Sequence, residues 1–214
     1  MSEAKRLVEV AVSQIGYREG ANNNTKYGAW YGLNYQPWCA MFVSWCADQA
    51  GIPTSIIPKF AYVPNGIQFF RNQGRYYARG QYTPVSGDLI FYGDSDHVGI
   101  VERVANNVVI TVEGNTGSTG ATANGDGVYR RNWPLTSTWI KGYGHPAYGE
   151  EEDDVEIKEI NIRDLDRDRL IQVSAVNIEG TNYIRLRDTE KLFPVTVSFD
   201  QAAATPTIAL NYTK

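Results

Sequence analysis

Four polar residues of the chain have the types and order that nucleophilic attack on a carbonyl requires: Cys39, His97, Glu113 and Asn115. A thiol attacks as its thiolate. An imidazole takes the thiol proton and later returns one to the leaving group. A carboxylate or amide on the far ring nitrogen then holds the imidazole in one tautomer and orientation. The stretch Gln36-Pro37-Trp38-Cys39, followed by Phe42, Val43, Cys46 and Ala50 at helical spacing and closed by Gly51, places the cysteine at the first turn of a buried helix. A helix N-terminus presents unpaired N–H groups and partial positive charge, which favour a thiolate. Cysteine is equally a small apolar core residue, so the assignment depends on what the rest of the chain sets opposite it.

That partner comes from a β-rich half. His97 heads the run His97 to Val104, and the next run ends Val112-Glu113-Gly114-Asn115. A hairpin centred at Ala105 or Asn106 sets His97 opposite Glu113 or Asn115 on one face, with opposing residues about 5 Å apart. A two-residue Asn106-Asn107 turn of the primed type shifts the register by one and sends Glu113 to the other face. The centred hairpin is the expectation, because the chemistry requires the even register. The second histidine, His145, in Gly142-Tyr143-Gly144-His145-Pro146, reads as structural.

Cys46 lies seven positions after Cys39. On one helix that is a rise of about 10.5 Å, beyond the about 7 Å that a disulfide spans between Cα atoms. Cys46 is therefore core and Cys39 free. One Cys, one His and one Glu make an unusual zinc set, and no ligand pair has metal spacing. No cofactor and no metal are expected.

The elements that must position these groups follow in order. Leu7, Val8, Val10, Ala11 and Ile15 trace a helix face after Ser2 as N-cap, with Gly16 as stop. A Gly- and Asn-rich loop follows, then the aromatic segment Tyr27 to Tyr35; Trp30, Tyr35 and Trp38 are its candidates for lining a ligand groove. Val63 to Gln73 reads as a helix with Ile67, Phe69 and Phe70 buried. Short strands then run over Asp88–Tyr92, His97–Val104, Val108–Glu113, Gly127–Arg131 and Ile140–Tyr143. Helices first and antiparallel strands second make this half α+β.

The 214 residues suffice for one full core and a smaller second one. Residues 1–149 carry 12 basic and 10 acidic side chains, residues 150–214 carry 8 and 14. The run Glu150-Glu151-Glu152-Asp153-Asp154 reads as a solvated linker, giving units 1–148 and 156–214 joined by 149–155. No basic cluster interleaved with aromatics points to nucleic acid. No signal peptide and no membrane span is read in the sequence.

Taken together, Gly16-Tyr17-Arg18-Glu19, Thr25-Lys26-Tyr27-Gly28, Trp38-Cys39-Ala40-Met41-Phe42-Val43-Ser44-Trp45-Cys46, Gly87-Asp88-Leu89-Ile90, His97-Val98-Gly99-Ile100-Val101 and Glu113-Gly114-Asn115 resemble a CHAP domain. These are the cysteine, histidine-dependent amidohydrolases and peptidases of phage endolysins and bacterial autolysins. The resemblance covers about residues 3 to 148. It implies a papain-like fold with N-terminal helices packed on an antiparallel sheet, Cys39 as nucleophile, His97 as general base and acid, Glu113 orienting His97, and Asn115 as a fourth polar member. The implied substrate is the peptide part of Gram-positive peptidoglycan, cut by amidase or endopeptidase action. The implied life history is synthesis in the host cytoplasm and release to the wall through a separate pore. Some relatives bind calcium through an acidic loop before the cysteine, but here residues 20–35 hold no Asp or Glu, a poor set for a hard dication.

Residues 156–214 alternate as a small β-rich domain, with a turn at Glu179-Gly180-Thr181 and a short polar helix over Asp188 to Leu192. Val176 to Leu210 is similar to copper amine oxidase N-terminal-like, or stalk, domains, without His or Cys for copper. Wall binding is the preferred role, with Tyr183, Phe199 and Tyr212 as stacking candidates; self-association into a homo-oligomer is the other. The alternative for the whole chain is a non-catalytic wall-binding or virion scaffold module.

Overall fold

The Ser2 hydroxyl accepts the Lys5 N–H at 3.1 Å and so opens α1, Glu3–Ser13. This is a computed structural model that describes residues 1–118 and 124–149 in full and, beyond them, the backbone of five strands between residues 158 and 210. The chain divides into two units, Met1–Glu151 and Glu152–Lys214, the division falling within the acidic run.

In the first unit α1 buries Leu7 and Ala11, while Ile15 lies beyond its end and is exposed rather than on the apolar face. The aromatic segment expected as a loop contains a helix, α2, Lys26–Tyr31. Its signals are local: the Thr25 hydroxyl caps the Gly28 N–H at 2.9 Å, and Gly32 closes it in the left-handed region at φ 91°. Helix α3, Cys39–Gln49, begins at the cysteine. Ala40, Met41, Phe42, Val43 and Cys46 are all buried, the pattern of a helix enclosed on nearly every side. Ser44 in its middle donates to Phe60 O at 2.8 Å and accepts from Phe60 N at 2.9 Å, so this buried hydroxyl is satisfied. Helix α4, Val63–Asn72, buries Ile67 and Phe70, with Phe69 half-buried.

Six strands follow: β1 Tyr76–Ala78, β2 Leu89–Tyr92, β3 His97–Ala105, β4 Val108–Thr116, β5 Gly127–Pro134 and β6 Ile140–Gly144. They form one antiparallel sheet in the order β1-β6-β2-β3-β4-β5. The short edge strand β1 has no counterpart in the sequence reading. Leu89, Phe91, Val98, Ile100 and Val112 share a core with the helices, and Ile90, Tyr92, Val101, Val109, Ile140 and Tyr143 form a second core. The alternation of strand side chains assigns these two sets to opposite faces. The fold is α+β.

The β3–β4 hairpin corrects the expected turn. Ala105 pairs with Val108, leaving Asn106 and Asn107, both at positive φ, as the two-residue primed turn. That register alone would carry Glu113 away from His97. It does not persist: Arg103 pairs with Ile110 but Val101 pairs with Thr111, so Glu102 is an extra residue on β3. This β-bulge returns the ladder to the even register before it reaches Ile100 and Val112. The turn set aside in the sequence is the one present, and the bulge restores what it would have cost.

In the second unit β7, Lys158–Asp164, β8, Arg169–Ile178, and β9, Thr181–Ile184, form an antiparallel three-stranded sheet. β10, Val195–Asp200, pairs with β11, Thr205–Leu210. β8 is one continuous strand of ten residues. The polar helix at 188–192 and the side chains of Tyr183, Phe199 and Tyr212 lie outside the described residues.

Candidate active site

His97 is the first residue of β3, so its ring stands at an end of the sheet. It pairs with Tyr92 of β2, and their rings lie 5.7 Å apart. Its Nε2 meets Glu113 Oε2 at 3.0 Å, and both side chains are 1 % exposed. The other oxygen, Oε1, accepts from the Tyr92 hydroxyl at 2.6 Å, the Thr111 hydroxyl at 2.6 Å and the Trp133 indole N–H at 2.9 Å. A buried carboxylate is costly unless its lone pairs are filled; here four donors fill them.

Two glycines make this geometry possible. A Cβ on Gly99 would sit 2.6 Å from Glu113 Cγ, so the glycine leaves room for the Glu113 side chain to lie over β3 toward His97. A Cβ on Gly114 would sit 2.6 Å from Phe42 Cγ and 2.7 Å from Trp38 Cζ3. Its absence lets the first turn of α3, with Cys39, lie against β4.

Cys39 comes from the helix side and is 4 % exposed. The other ring nitrogen of His97, Nδ1, is buried and makes no aligned hydrogen bond among the described residues, which leaves it for the Cys39 thiol; that thiol is close enough to raise the proton affinity of the ring. Burial disfavours the imidazolium, but Cys39 and Glu113 more than offset it and raise the His97 pKa to about 10. For Glu113 burial pushes upward, and His97, Thr111 and Tyr92 override it, lowering the carboxyl to about 2. Both shifts favour the charged pair, imidazolium beside carboxylate.

Asn115 is buried near the end of β4 with φ 56°, two residues after Glu113, where the pairing of β4 becomes irregular. The structure therefore brings Cys39, His97, Glu113 and Asn115 to one end of the sheet. Tyr92, Thr111 and Trp133 are additions that the sequence reading lacks. Thr111 could be found from alternation two residues before Glu113; Trp133 arrives from β5 with no local signal.

The expected groove residues separate. Trp38 is 0 % exposed, stacked on Tyr27 at 5.2 Å with its indole donating to Glu19 at 2.6 Å, so it is a buried wall and not a ligand contact. Trp30 packs under Lys59 beside Ser44, Ala47 and Asp48. Those positions are roughly 7–13 Å along α3 from Cys39. Tyr35 is 59 % exposed at φ 66°. Both cysteines are free thiols, and Cys46 is fully buried. Among the described residues no three His, Cys, Asp or Glu side chains cluster as metal ligands would, and no helix is long and apolar enough to cross a membrane.

The CHAP domain family matches residues 30–115, a span that includes Cys39, His97, Glu113 and Asn115. No curated protein matches the chain. Among solved structures it is similar to a mutated form of the Resuscitation Promoting Factor Interacting protein RipA, at 19 % identity over 67 % of this chain and 62 % of that one, TM-score 0.40. It is also similar to the peptidoglycan hydrolase RipB from Mycobacterium tuberculosis, at 19 % identity over 67 % and 64 %, TM-score 0.40. A third is Ly7917 with the hydrolyzing product of MDP, at 13 % identity over 85 % and 81 %, TM-score 0.42. The chain thus spans less than two thirds of the length of RipA or RipB.

Proposed function

We propose that this chain is a cysteine amidohydrolase or peptidase acting on the peptide part of bacterial peptidoglycan. The observation that carries the reading is the buried His97–Glu113 pair, 3.0 Å apart at Nε2, with the Cys39 thiol close enough to raise the proton affinity of the ring. The CHAP match over residues 30–115 supports the substrate class.

In this reading His97 holds the proton of Cys39, and the sulfur attacks the carbonyl carbon of an amide. The carbonyl oxygen takes the electron pair, and the first N–H groups of α3, where no side chain caps the helix, are the donors available to it. Collapse of the tetrahedral adduct breaks the C–N bond while imidazolium Nδ1 gives its proton to the leaving amine, leaving a thioester. The neutral imidazole then draws a proton from water, which attacks the thioester and releases the acid. Glu113 acts through His97 as a positioning residue, fixing the Nε2–H tautomer and stabilising the imidazolium. Asn115 completes the polar end of the site.

A lysin role, with the second unit as a wall-binding or self-association module, is part of the same proposal. Mass spectrometry of digested cell wall tests it and separates its branches. New L-alanine N-termini identify amidase action, and new cross-bridge or stem termini identify endopeptidase action. Unchanged wall fragments overturn the proposal.

A further inference from the structure

A cavity of about 350 Å³ opens between the β1–β2 connection and the turn joining β5 to β6, and shares no residue with the Cys39 site. Its volume lies in the range of small-ligand sites, roughly 300–1,000 Å³. Tyr82, Leu135 and Tyr143 give it apolar walls; Gln81, Thr83 and Thr136 give it an amide and two hydroxyls. The walls carry no charged side chain.

The apolar side is held rigidly. Tyr82 stacks on Tyr77 at 4.6 Å, and its hydroxyl meets His145 Nδ1 at 3.2 Å; that nitrogen is in turn 2.8 Å from the buried Asp88 carboxylate. The polar side is open: the Gln81 side-chain nitrogen and the Thr83 and Thr136 hydroxyls have no protein partner among the described residues, and all three residues are exposed. One cation stands at the rim. Arg79 comes directly after β1, two residues past Tyr77, and its Nη1 donates to Thr136 O at 3.4 Å. Burial pushes the Tyr143 hydroxyl up to about 12, with the Arg79 guanidinium pulling it down and the Asp88 carboxylate pushing it up. The Arg79 N–H donates to Lys141 O at 3.2 Å, one step past the Ala78–Gly142 pair, which sets two cationic residues across from each other. Like charges so placed repel, and among the described residues neither has an acidic partner.

Two tyrosines and a leucine in the lining, an amide and two hydroxyls beside them, and a guanidinium without an acidic partner at the mouth together suit one ligand chemistry. We propose that this cavity binds a single anionic sugar unit, a pyranose whose C–H face rests on the tyrosine and leucine walls and whose carboxylate or phosphate meets Arg79. Bidentate geometry makes arginine the suited residue for either group. Binding in this cavity does not require Cys39.

The test is calorimetric titration of the full chain with N-acetylmuramic acid, N-acetylglucosamine 1-phosphate, uncharged N-acetylglucosamine and 4-hydroxybenzoate. Both anionic sugars should bind at least about tenfold more tightly than the uncharged one. R79A should erase that difference, R79K should keep part of it, and Q81A should weaken every sugar. Wall cleavage by R79A on soluble peptide fragments should be unchanged, which separates this site from the catalytic one. Binding of the carboxylated sugar alone identifies its group as the one selected; binding of both identifies the negative charge. Equal affinity for charged and uncharged sugars, tighter binding of 4-hydroxybenzoate than of any sugar, no effect of R79A, or no heat up to about 10 mM sugar would each overturn the proposal.

Discussion

His97 Nε2 and Glu113 Oε2 stand 3.0 Å apart, each side chain 1 % exposed, and three further donors close on the other carboxylate oxygen. The pair is held from outside itself: a bulge at Glu102 sets the register, and Gly99 leaves the space across which Glu113 extends.

Replacing the charge without the shape separates orientation from electrostatics. Glu113→Gln should leave the fold intact and reduce wall hydrolysis by on the order of 10² to 10⁴. His97 is raised to about 10, so the imidazolium form persists in the wild type until pH approaches that value. The alkaline limb of the activity profile should therefore fall near pH 10 and move to lower pH in the variant. An unmoved limb would detach Glu113 from the proton state of His97.

The same shifts govern stability, with opposite signs at the two ends. Glu113, lowered to about 2, adds stability that is complete above the ordinary carboxyl range and lost as pH falls through about 2. His97, raised to about 10, adds stability that is complete below its ordinary pKa of about 6.5 and lost as pH rises through about 10. Thermal melts across pH should show a plateau between these limits, narrower in Glu113→Gln and in His97→Ala.

Trp133→Phe and Tyr92→Phe each remove one donor to Glu113 Oε1 while keeping an aromatic ring. Hydrogen bonds to a charged group are worth about 1.5–3 kcal/mol, so each variant should lose stability on that scale. Less support for the carboxylate raises its pKa, and the acid limb of activity should move to higher pH. Urea melts at pH 7 together with the activity profile check both effects.

Alanine at either of two glycines should damage the site by steric means. At Gly99 the new Cβ meets Glu113 Cγ at 2.6 Å; at Gly114 it meets Phe42 and Trp38. Overpacking of this kind costs about 1–3 kcal/mol. Gly99→Ala should displace the carboxylate from His97, seen as a changed imidazole titration by NMR, whereas Gly114→Ala should move the α3 turn and slow alkylation of Cys39. Wild-type behaviour in both readouts would mean the close approaches are not needed.

What the sequence shows of this architecture depends on how local the cause is. The cysteine helix is legible because Phe42, Val43, Cys46 and Ala50 repeat at its period and Gly51 ends it. The five longer strands of the first sheet are legible from β-rich runs between turn residues. Helix α2 is hidden by aromatic composition, though Thr25 and Gly32 mark both its ends. The Glu102 bulge carries no local mark, since neither Glu102 nor Arg103 is a turn residue, and it is set by the pairing of whole strands. Trp38 reads as a groove residue because its neighbours are aromatic, yet those same neighbours, Tyr27 and Phe42, are what bury it.

In the proposed reaction the Cys39 sulfur, paired with His97, breaks amide bonds of the wall. Free amino groups released from purified cell wall, measured for the wild type, Cys39→Ala and His97→Ala with equal folded protein, test it most directly. A steady rise with the wild type and none above background with either variant is the predicted result. Amine release by Cys39→Ala at the wild-type rate would contradict it.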